Sequence, residues 1–469
     1  MPMSPHDTAP NLIPPPPRSR GAALPLPGRA TPALLASDIA VAVAVAGLCV
    51  VGLWVRHGGL EALGQGWVPG WTAVTQLSGL LASAAGLLGL LLVARPASLE
   101  RVVGLDRMFV WHRYAGEATA VLVGAHVTAA IVAGSAVSGG VWAAVRDLTG
   151  GEPYMAAATV GALLIGVVTV TSLRTLRRLL SYETWYFVHL LAYLGLALAF
   201  AHELVLGGDL AADRLARWFW VALHLSVIAV LVWSRWGPAL RAAVRPLRVT
   251  AIVPHGPTTA ALHLSGRGLK GLTAEPGQFF LLRALRPGLW WQTHPYSLSA
   301  APTTAGLRFS VKERGDASHA LTHLPLGTRV AVEGPYGTCT PAVAEGRKVV
   351  FVVGGVGVAP ARAILERLDR SHQPVLLCRA RKEADLTHLD ELQRLAPARG
   401  GRVLTLLGPT TALAAHDPFG AASLRAAVPD IAERLAIVCG PESLVQAARR
   451  GLRACGVAAE DIHFERAWW

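Results

Sequence analysis

Six apolar runs occupy the first half of the chain, at about 33–55, 72–94, 110–133, 155–173, 186–206 and 217–236. Each is near the ~20 residues that carry a helix across a bilayer, so the pattern predicts six membrane spans, the fourth being the shortest. Beyond about residue 240 the pattern changes. Stretches such as 278–283, 307–312 and 328–333 lie between Gly/Pro turns and read as short strands. From 347 onward, apolar strands (348–353, 374–378, 402–407, 435–439) alternate with helical patterns (359–369, 443–454), the signature of a parallel α/β sheet. The predicted architecture is a multi-domain membrane protein. A disordered Pro-rich tail over 1–32 precedes a six-helix transmembrane bundle over 33–238. A small antiparallel β-barrel follows over 239–345, and an α/β parallel-sheet nucleotide-binding domain over 346–469. The chain shows no internal repeat. The tail has polyproline character at Pro14 to Pro17. It is not read as a signal peptide, because the run after it is too long for an h-region and no clear cleavage site follows.

Charge orients the bundle. Only 16% of residues are charged, yet the formal net charge is +13. The basic residues do not gather into one patch, which argues against nucleic acid; they fall between apolar runs, where a membrane protein needs them. One set of connections collects Arg95, Arg101, Arg107, Arg174, Arg177 and Arg178, with Arg18, Arg20 and Arg29 before the first run and Arg235, Arg241, Arg245 and Arg248 after the last. The opposite set carries Arg56, Arg146, Arg214 and Arg217, offset by Glu61, Asp147, Glu152, Glu203, Asp209 and Asp213. The expectation is a multi-pass protein of the plasma membrane with both termini cytosolic and outer loops too short for a domain. The five cysteines (Cys49, Cys339, Cys378, Cys439, Cys455) include no CxxC pair. With four of them on the cytosolic side, no disulfide framework is expected.

Four histidines stand inside two spans: His112 and His126 in the third, His189 and His202 in the fifth. Ionisable groups within a membrane are costly and suggest function. The third and fifth spans run the same way, so His112 pairs in depth with His189, and His126 with His202. At ~1.5 Å per residue the two levels lie about 20 Å apart. Two levels, each with two imidazoles from different helices, suit two stacked bis-histidine haems. Polar residues merely hydrogen-bonded within the bundle are the alternative. One detail resists: at ~100° per residue, His112 and His126 differ by about 40° around their helix, but His189 and His202 by about 140°. The fifth span is expected to tilt, bulge or meet the two haems from different sides. His224 in the sixth span reads as structural. Arg113 suits either a haem propionate or the membrane interface.

The histidine spacing resembles that of the ferric reductase and NADPH oxidase superfamily of transmembrane flavocytochromes. The second half resembles the ferredoxin-NADP reductase type of module attached to them, so the likeness covers about 70–469. It implies FAD, NADPH (or NADH) and two b-type haems, with His112, His126, His189 and His202 as the metal ligands. Pro276-Gly277-Gln278-Phe279-Phe280 and His294-Pro295-Tyr296-Ser297 are similar to the flavin-binding strings of the family. The resemblance implies that Tyr296 packs on the isoalloxazine and that Ser297 hydrogen-bonds near its reactive nitrogen. Both would be catalytic groups, with His294 and Pro295 as flavin contacts. Lys312-Glu313-Arg314-Gly315-Asp316-Ala317-Ser318 resembles the segment holding the FAD pyrophosphate, which implies roles for Lys312, Gly315 and Ser318. Glu333-Gly334-Pro335-Tyr336-Gly337 resembles the turn that closes the flavin domain.

Gly354-Gly355-Val356-Gly357-Val358-Ala359-Pro360 follows an apolar strand and opens a helical pattern. Its glycines let backbone approach a pyrophosphate, and Pro360 suits a helix's first turn. Cys439-Gly440-Pro441 follows the last apolar strand; in the family it positions the nicotinamide, which would make Cys439 a third catalytic residue. Arg379, Arg381 and Lys382 stand where the family selects for the adenosine 2′-phosphate. Two departures stand out. The chain ends His463-Phe464-Glu465-Arg466-Ala467-Trp468-Trp469, with Ala467 where the family's flavin-covering aromatic is expected, so Trp468 is the candidate cover. Ala130 occupies the place of a histidine common in superoxide-forming relatives. The expected reaction is electron transfer from NAD(P)H through FAD and haem to a small acceptor, a ferric chelate or dioxygen. A dedicated superoxide generator, an electron-relay subunit serving a partner protein, and a haem-free transporter remain the other readings. Oligomeric state is not readable from the chain.

Overall fold

The structure, a computed structural model, describes residues 36–150, 154–409 and 417–466. The tail over 1–32 and the candidate flavin cover Trp468 lie outside them. The chain divides into two compact units at Gly237/Pro238.

The first unit is helical. Its long helices are α1 (Ala36–Arg56), α2 (Trp67–Ala94), α3 (Leu105–Ser138), α4 (Met155–Ser172), α5 (Tyr182–Leu206) and α6 (Arg214–Leu231). All six are long and apolar enough to cross a membrane. The outward faces carry Leu48, Val121, Leu163 and Leu225, all exposed. So much bare apolar surface belongs in lipid rather than water. Helix α3 outruns its apolar stretch at both ends, because hydropathy marks only the part of a helix that lies in hydrocarbon. Helix ends follow from local chemistry. Ser181 Oγ accepts from Thr184 N at 3.1 Å to start α5, and Asp213 Oδ1 accepts from Leu215 N and Ala216 N to start α6. Gly139 stops α3 in the left-handed conformation at φ 78°. A π turn over Val232–Trp236 follows α6; Pro238, which has no N–H to give, accounts for the slipped register.

Packing within the bundle uses small residues. A Cβ on Gly161 would lie 2.7 Å from Gly195 O, and one on Gly195 would lie 3.1 Å from Gly161 O. Helices α4 and α5 therefore touch backbone to backbone, as small residues permit in lipid. The connections carry short helices: Gly59–Ala62, Val141–Gly150 and Gly208–Ala212 at one end, Ala97–Val103 and Arg174–Arg177 at the other. Glu203, counted above with the connecting acids, instead lies inside α5.

The second unit holds two lobes. In the first, β1 (Leu247–Pro254), β2 (Thr259–Ser265), β3 (Phe279–Ala284), β4 (His294–Ser297), β5 (Leu307–Lys312) and β6 (Arg329–Tyr336) form an antiparallel sheet in the order β4-β3-β6-β1-β2-β5. A bridge between Leu298 and Phe309 joins the two edges of the curled sheet. Phe280, Leu282, Phe309, Val311 and Val330 fill its interior. In the second lobe, β7 (Val349–Gly354), β8 (Val375–Ala380), β9 (Arg402–Leu407), β10 (Leu435–Gly440) and β11 (Ile462–Arg466) form a sheet in the order β11-β10-β7-β8-β9. Every pairing is parallel. Every residue of β7 and β10 is buried, which is why both read as unbroken apolar runs. Helices α7 (Asp316–Thr322), α8 (Val358–Leu365), α9 (Leu389–Leu395), α10 (Ala421–Ala427) and α11 (Glu442–Ala454) flank the strands.

Buried charge joins the lobes. Arg308 of β5 grips both oxygens of Glu391 in α9 at 3.1 and 3.2 Å. Arg362 of α8 donates from Nε to the same carboxylate at 2.7 Å and pairs with Glu366 at 2.6 Å. His388 donates from Nδ1 to Glu391 at 3.1 Å, and Ser310 Oγ donates to its Nε2 at 2.7 Å. Burial works against the charge on Glu391, but His388 and the two guanidinium groups outweigh it and hold the carboxyl well below the usual range. Burial likewise pushes the His388 imidazole down to about 4, leaving it neutral at pH 7.

Candidate functional site

In the helical unit the four histidines meet in two pairs. The ring centroids of His112 and His189 lie 6.0 Å apart, and those of His126 and His202 also lie 6.0 Å apart. Imidazole–metal bonds run at about 2.0–2.1 Å and each ring centroid lies ~1.1 Å behind its nitrogen, so rings on opposite sides of one metal have centroids about 6.3 Å apart. Both pairs fit that requirement. The other ring nitrogen is held. His112 Nδ1 donates to Gly89 O at 3.0 Å and His126 Nδ1 to Thr75 O at 2.8 Å, both on α2. His202 Nδ1 donates to Ala199 O on its own helix. Fixing Nδ1–H in this way leaves Nε2 as the ligating nitrogen. His189 is steadied by Trp185, stacked on it at 4.9 Å and 25°, and lies 3.5 Å from Ser172 Oγ. The donor set and its spacing suit two bis-imidazole haems.

The fifth span resolves its angular mismatch without a bulge. Helix α5 is unbroken from Tyr182 to Leu206, and the His202 ring leans back over its preceding turn to reach its partner. Arg113 pairs with Glu117 at 3.6 Å and lies over the Tyr114 ring at 5.2 Å. His224 meets Trp220 O at 2.9 Å and Ser83 Oγ at 3.3 Å, consistent with a structural place. Hydropathy hid three contributors: Gly79, which makes room for His126; Trp185, under His189; and Glu203, whose Oε2 accepts from Ser83 Oγ at 3.0 Å and Trp220 Nε1 at 2.9 Å.

In the second unit, β4 presents His294, Pro295, Tyr296 and Ser297, all part-buried, opposite β3 in the register Phe280–Tyr296 and Phe279–Ser297. Burial pushes the Tyr296 hydroxyl pKa up; the ring is a flat aromatic face of the kind a planar ligand can stack on. Lys312 ends β5. Ser318 organises the turn ahead of α7. Its Oγ accepts from Arg314 N at 2.8 Å and Gly315 N at 3.1 Å and donates to Gly315 O. The hydroxyl thus shapes the turn from both sides.

The glycine motif and the Cys439 motif come together. In the order β11-β10-β7-β8-β9 the strand order reverses between β7 and β10, the position where open α/β sheets bind ligands at their carboxyl ends. Gly354 ends β7, with Gly355 and Gly357 in the turn after it; Gly440 ends β10 and Pro441 follows. A Cβ on Gly357 would lie 2.2 Å from Cys439 O, so only glycine lets the two strand ends close up. Gly355 adopts φ 58°, which glycine permits cheaply. Pro360 sits buried in the first turn of α8. Cys439 belongs to the core cluster with Val353, Val358 and Ala361, and its carbonyl lies against the glycine turn.

The structure extends β8 through Arg379, which sequence placed after the strand. Its guanidinium donates to Leu406 O at 3.3 Å and Gly408 O at 2.6 Å. Arg381 and Lys382, just beyond, are exposed.

Comparison with known proteins joins the two halves. Residues 71–200 match the family described as ferric reductase like transmembrane component, and residues 250–340 match an FAD-binding domain family. This pairing of domains is that of the ferric reductase/NADPH oxidase superfamily. The chain is 27% identical over 235 residues to the reductase component of propane 2-monooxygenase from Rhodococcus jostii, covering 47% of this chain and 62% of the relative. It is 30% identical over 200 residues to the ferredoxin reductase component of 3-ketosteroid-9-alpha-monooxygenase from Mycobacterium tuberculosis, covering 41% and 55%. The chain thus spans little more than half the length of these curated relatives. Among solved structures, flavohemoglobin from Malassezia yamatoensis aligns with a TM-score of 0.44 at 16% identity, over 87% of this chain and 98% of that one.

Proposed function

We propose that this protein is a membrane flavocytochrome reductase that takes electrons from cytosolic NADPH and delivers them to a small acceptor, a ferric chelate or dioxygen, at the opposite face of the plasma membrane. The loop charges support this orientation, with both termini cytosolic. The reading rests above all on the two histidine pairs, each 6.0 Å across, on α3 and α5. His112 and His189 would hold one haem, His126 and His202 the other. FAD supplies the conversion of a two-electron hydride donor into single electrons, and haem supplies their passage across the bilayer.

The remaining work belongs to the chain. Tyr296 and Ser297 would offer the flavin a flat face and a hydrogen-bonding hydroxyl. Lys312 and the backbone around Gly315 would hold its pyrophosphate. The crevice between β7 and β10 would take the nucleotide, with Gly354, Gly355, Gly357, Gly440 and Pro441 admitting it closely. Arg381 and Lys382 would meet the 2′-phosphate. The test is the absorption spectrum of the purified protein as NADPH is added. Two low-spin haems that reduce only when flavin is present are expected; full flavin with no Soret band would overturn the assignment.

A relay subunit is the second reading, favoured by the reductase-component names of the curated relatives. Vigorous turnover of purified protein with ferric chelates or dioxygen would exclude it.

A further inference from the structure

We infer that Glu203 is a positioning residue for the outer histidine pair, an inference that rests on the haem reading above. A carboxylate within a membrane span needs partners, and here they come from two other helices. Its Oε2 accepts from Ser83 Oγ of α2 at 3.0 Å and from Trp220 Nε1 of α6 at 2.9 Å. Trp220 is fully buried, in a cluster with Val50, Leu80 and Leu210. The carboxylate therefore ties three spans at a point adjoining His202.

The two imidazoles of the outer pair are held differently. His126 is anchored across helices, on Thr75 O of α2. The ring hydrogen bond of His202 goes only to Ala199 O, on its own helix. The neighbouring Glu203 adds the polar tie of the His202 segment to α2, through Ser83, and to α6, through Trp220. Helix α2 is thus the common reference: it holds His126 through Thr75 and indexes His202 through Ser83, eight residues further on. Eight residues are about 12 Å of helix, a rigid spacer that sets how far the His202 ring reaches toward His126. The inner pair is held by other groups: His112 rests on Gly89 O of α2, and His189 on Trp185 of its own helix and Ser172 of α4.

The experiment compares Glu203→Leu and Glu203→Gln in the full-length, haem-loaded protein by electron paramagnetic resonance and redox titration of each haem. Gln keeps a carbonyl oxygen with two lone pairs, enough for both donors; Leu keeps none. In Glu203→Leu, one of the two low-spin signals should be lost or turn high-spin while the other is unmoved, and Glu203→Gln should restore it. Trp220→Phe removes one donor and leaves a smaller aromatic ring; it should perturb the same signal more weakly, and it serves if Glu203→Leu does not fold. Unchanged spectra in Glu203→Leu or Trp220→Phe would overturn the inference, as would equal disturbance by Leu and Gln, which would mean that charge and not position matters. Wild-type protein with no haem signal would instead sink the parent reading.

Discussion

A Cβ on Gly79 would lie 2.8 Å from Nδ1 of His126 and 3.0 Å from its Cε1. Helix α2 passes so close to the imidazole that only a missing side chain leaves it room to reach Thr75 O at 2.8 Å. Gly79→Ala should therefore turn the ring, break that bond and empty the outer haem site while the inner one stays filled. Gly89 faces His112 less tightly, its Cβ falling at 3.7 Å, so Gly89→Ala should be tolerated. Gly116 has open space, and Gly116→Ala is the control. Haem-to-flavin ratios in purified protein decide it: near one for Gly79→Ala, near two for the others. A ratio of two in Gly79→Ala would show that the ring does not need the gap.

The second prediction divides the basic cluster after β8. Arg379 is engaged with Leu406 O and Gly408 O, whereas Arg381 and Lys382 are exposed. Replacing Arg381 and Lys382 with alanine should raise KM for NADPH and leave NADH nearly unchanged, because only NADPH carries a 2′-phosphate. A lost charge-assisted hydrogen bond is worth ~1.5–3 kcal/mol, on the order of tenfold to a hundredfold in affinity. Arg379→Ala should instead harm both nucleotides alike by loosening β8 from β9. Steady-state kinetics with the two nucleotides separates the cases; a selective NADPH loss in Arg379→Ala would reverse the assignment.

What could be read along the chain is what chemistry confines to a short stretch. Gly354, Gly355 and Gly357 announce themselves because a pyrophosphate turn needs them together, and four histidines stand out against hydrocarbon. What could not be read depends on long-range contact. Arg308 and Glu391 are 83 residues apart, and Arg362 and Glu391 are 29 apart, so each looks like an ordinary surface charge. Glu203 looks like a loop acid because it sits in the last turn of α5. Gly79 looks like any small residue of a span until α3 is laid beside it. The angular mismatch of His189 and His202 misled because ideal helix angles ignore how far a side chain can lean.

The third prediction concerns acid. An unperturbed histidine titrates at 6.5, but burial pushes His388 down to about 4. Between these values the unfolded chain binds the more protons, so acid favours unfolding. The stabilisation is fully present above about pH 6.5 and is lost as pH falls toward 4. At 1.36 kcal/mol per unit the effect is on the order of 3 kcal/mol. His388→Asn removes the titrating group, and asparagine tolerates the left-handed φ of 59° found there. Thermal unfolding of the full chain in detergent, followed by flavin release across pH 7 to 4, should show a shallower pH dependence for His388→Asn than for wild type. An unchanged slope would place the acid sensitivity elsewhere.

The last prediction concerns the order of events. If Tyr296 and Ser297 hold the flavin, they act before either haem. Suppose both are changed to alanine. The flavin loses a stacking face and a hydrogen bond, so its occupancy and its reduction by NADPH should fall together. The strand itself should survive: Tyr296 and Ser297 pair with Phe280 and Phe279 through backbone, which alanine preserves, and the lobe's interior rests on Phe280, Phe309 and Val330. The histidine pairs belong to a separate compact unit and should still bind haem. Dithionite, which needs no flavin, should then reduce the haems at the normal rate, while NADPH should not. Stopped-flow spectra at the Soret band measure both. Haem reduction by NADPH at the wild-type rate in the double variant would mean that β4 does not carry the flavin, and that electrons enter the bundle by another route.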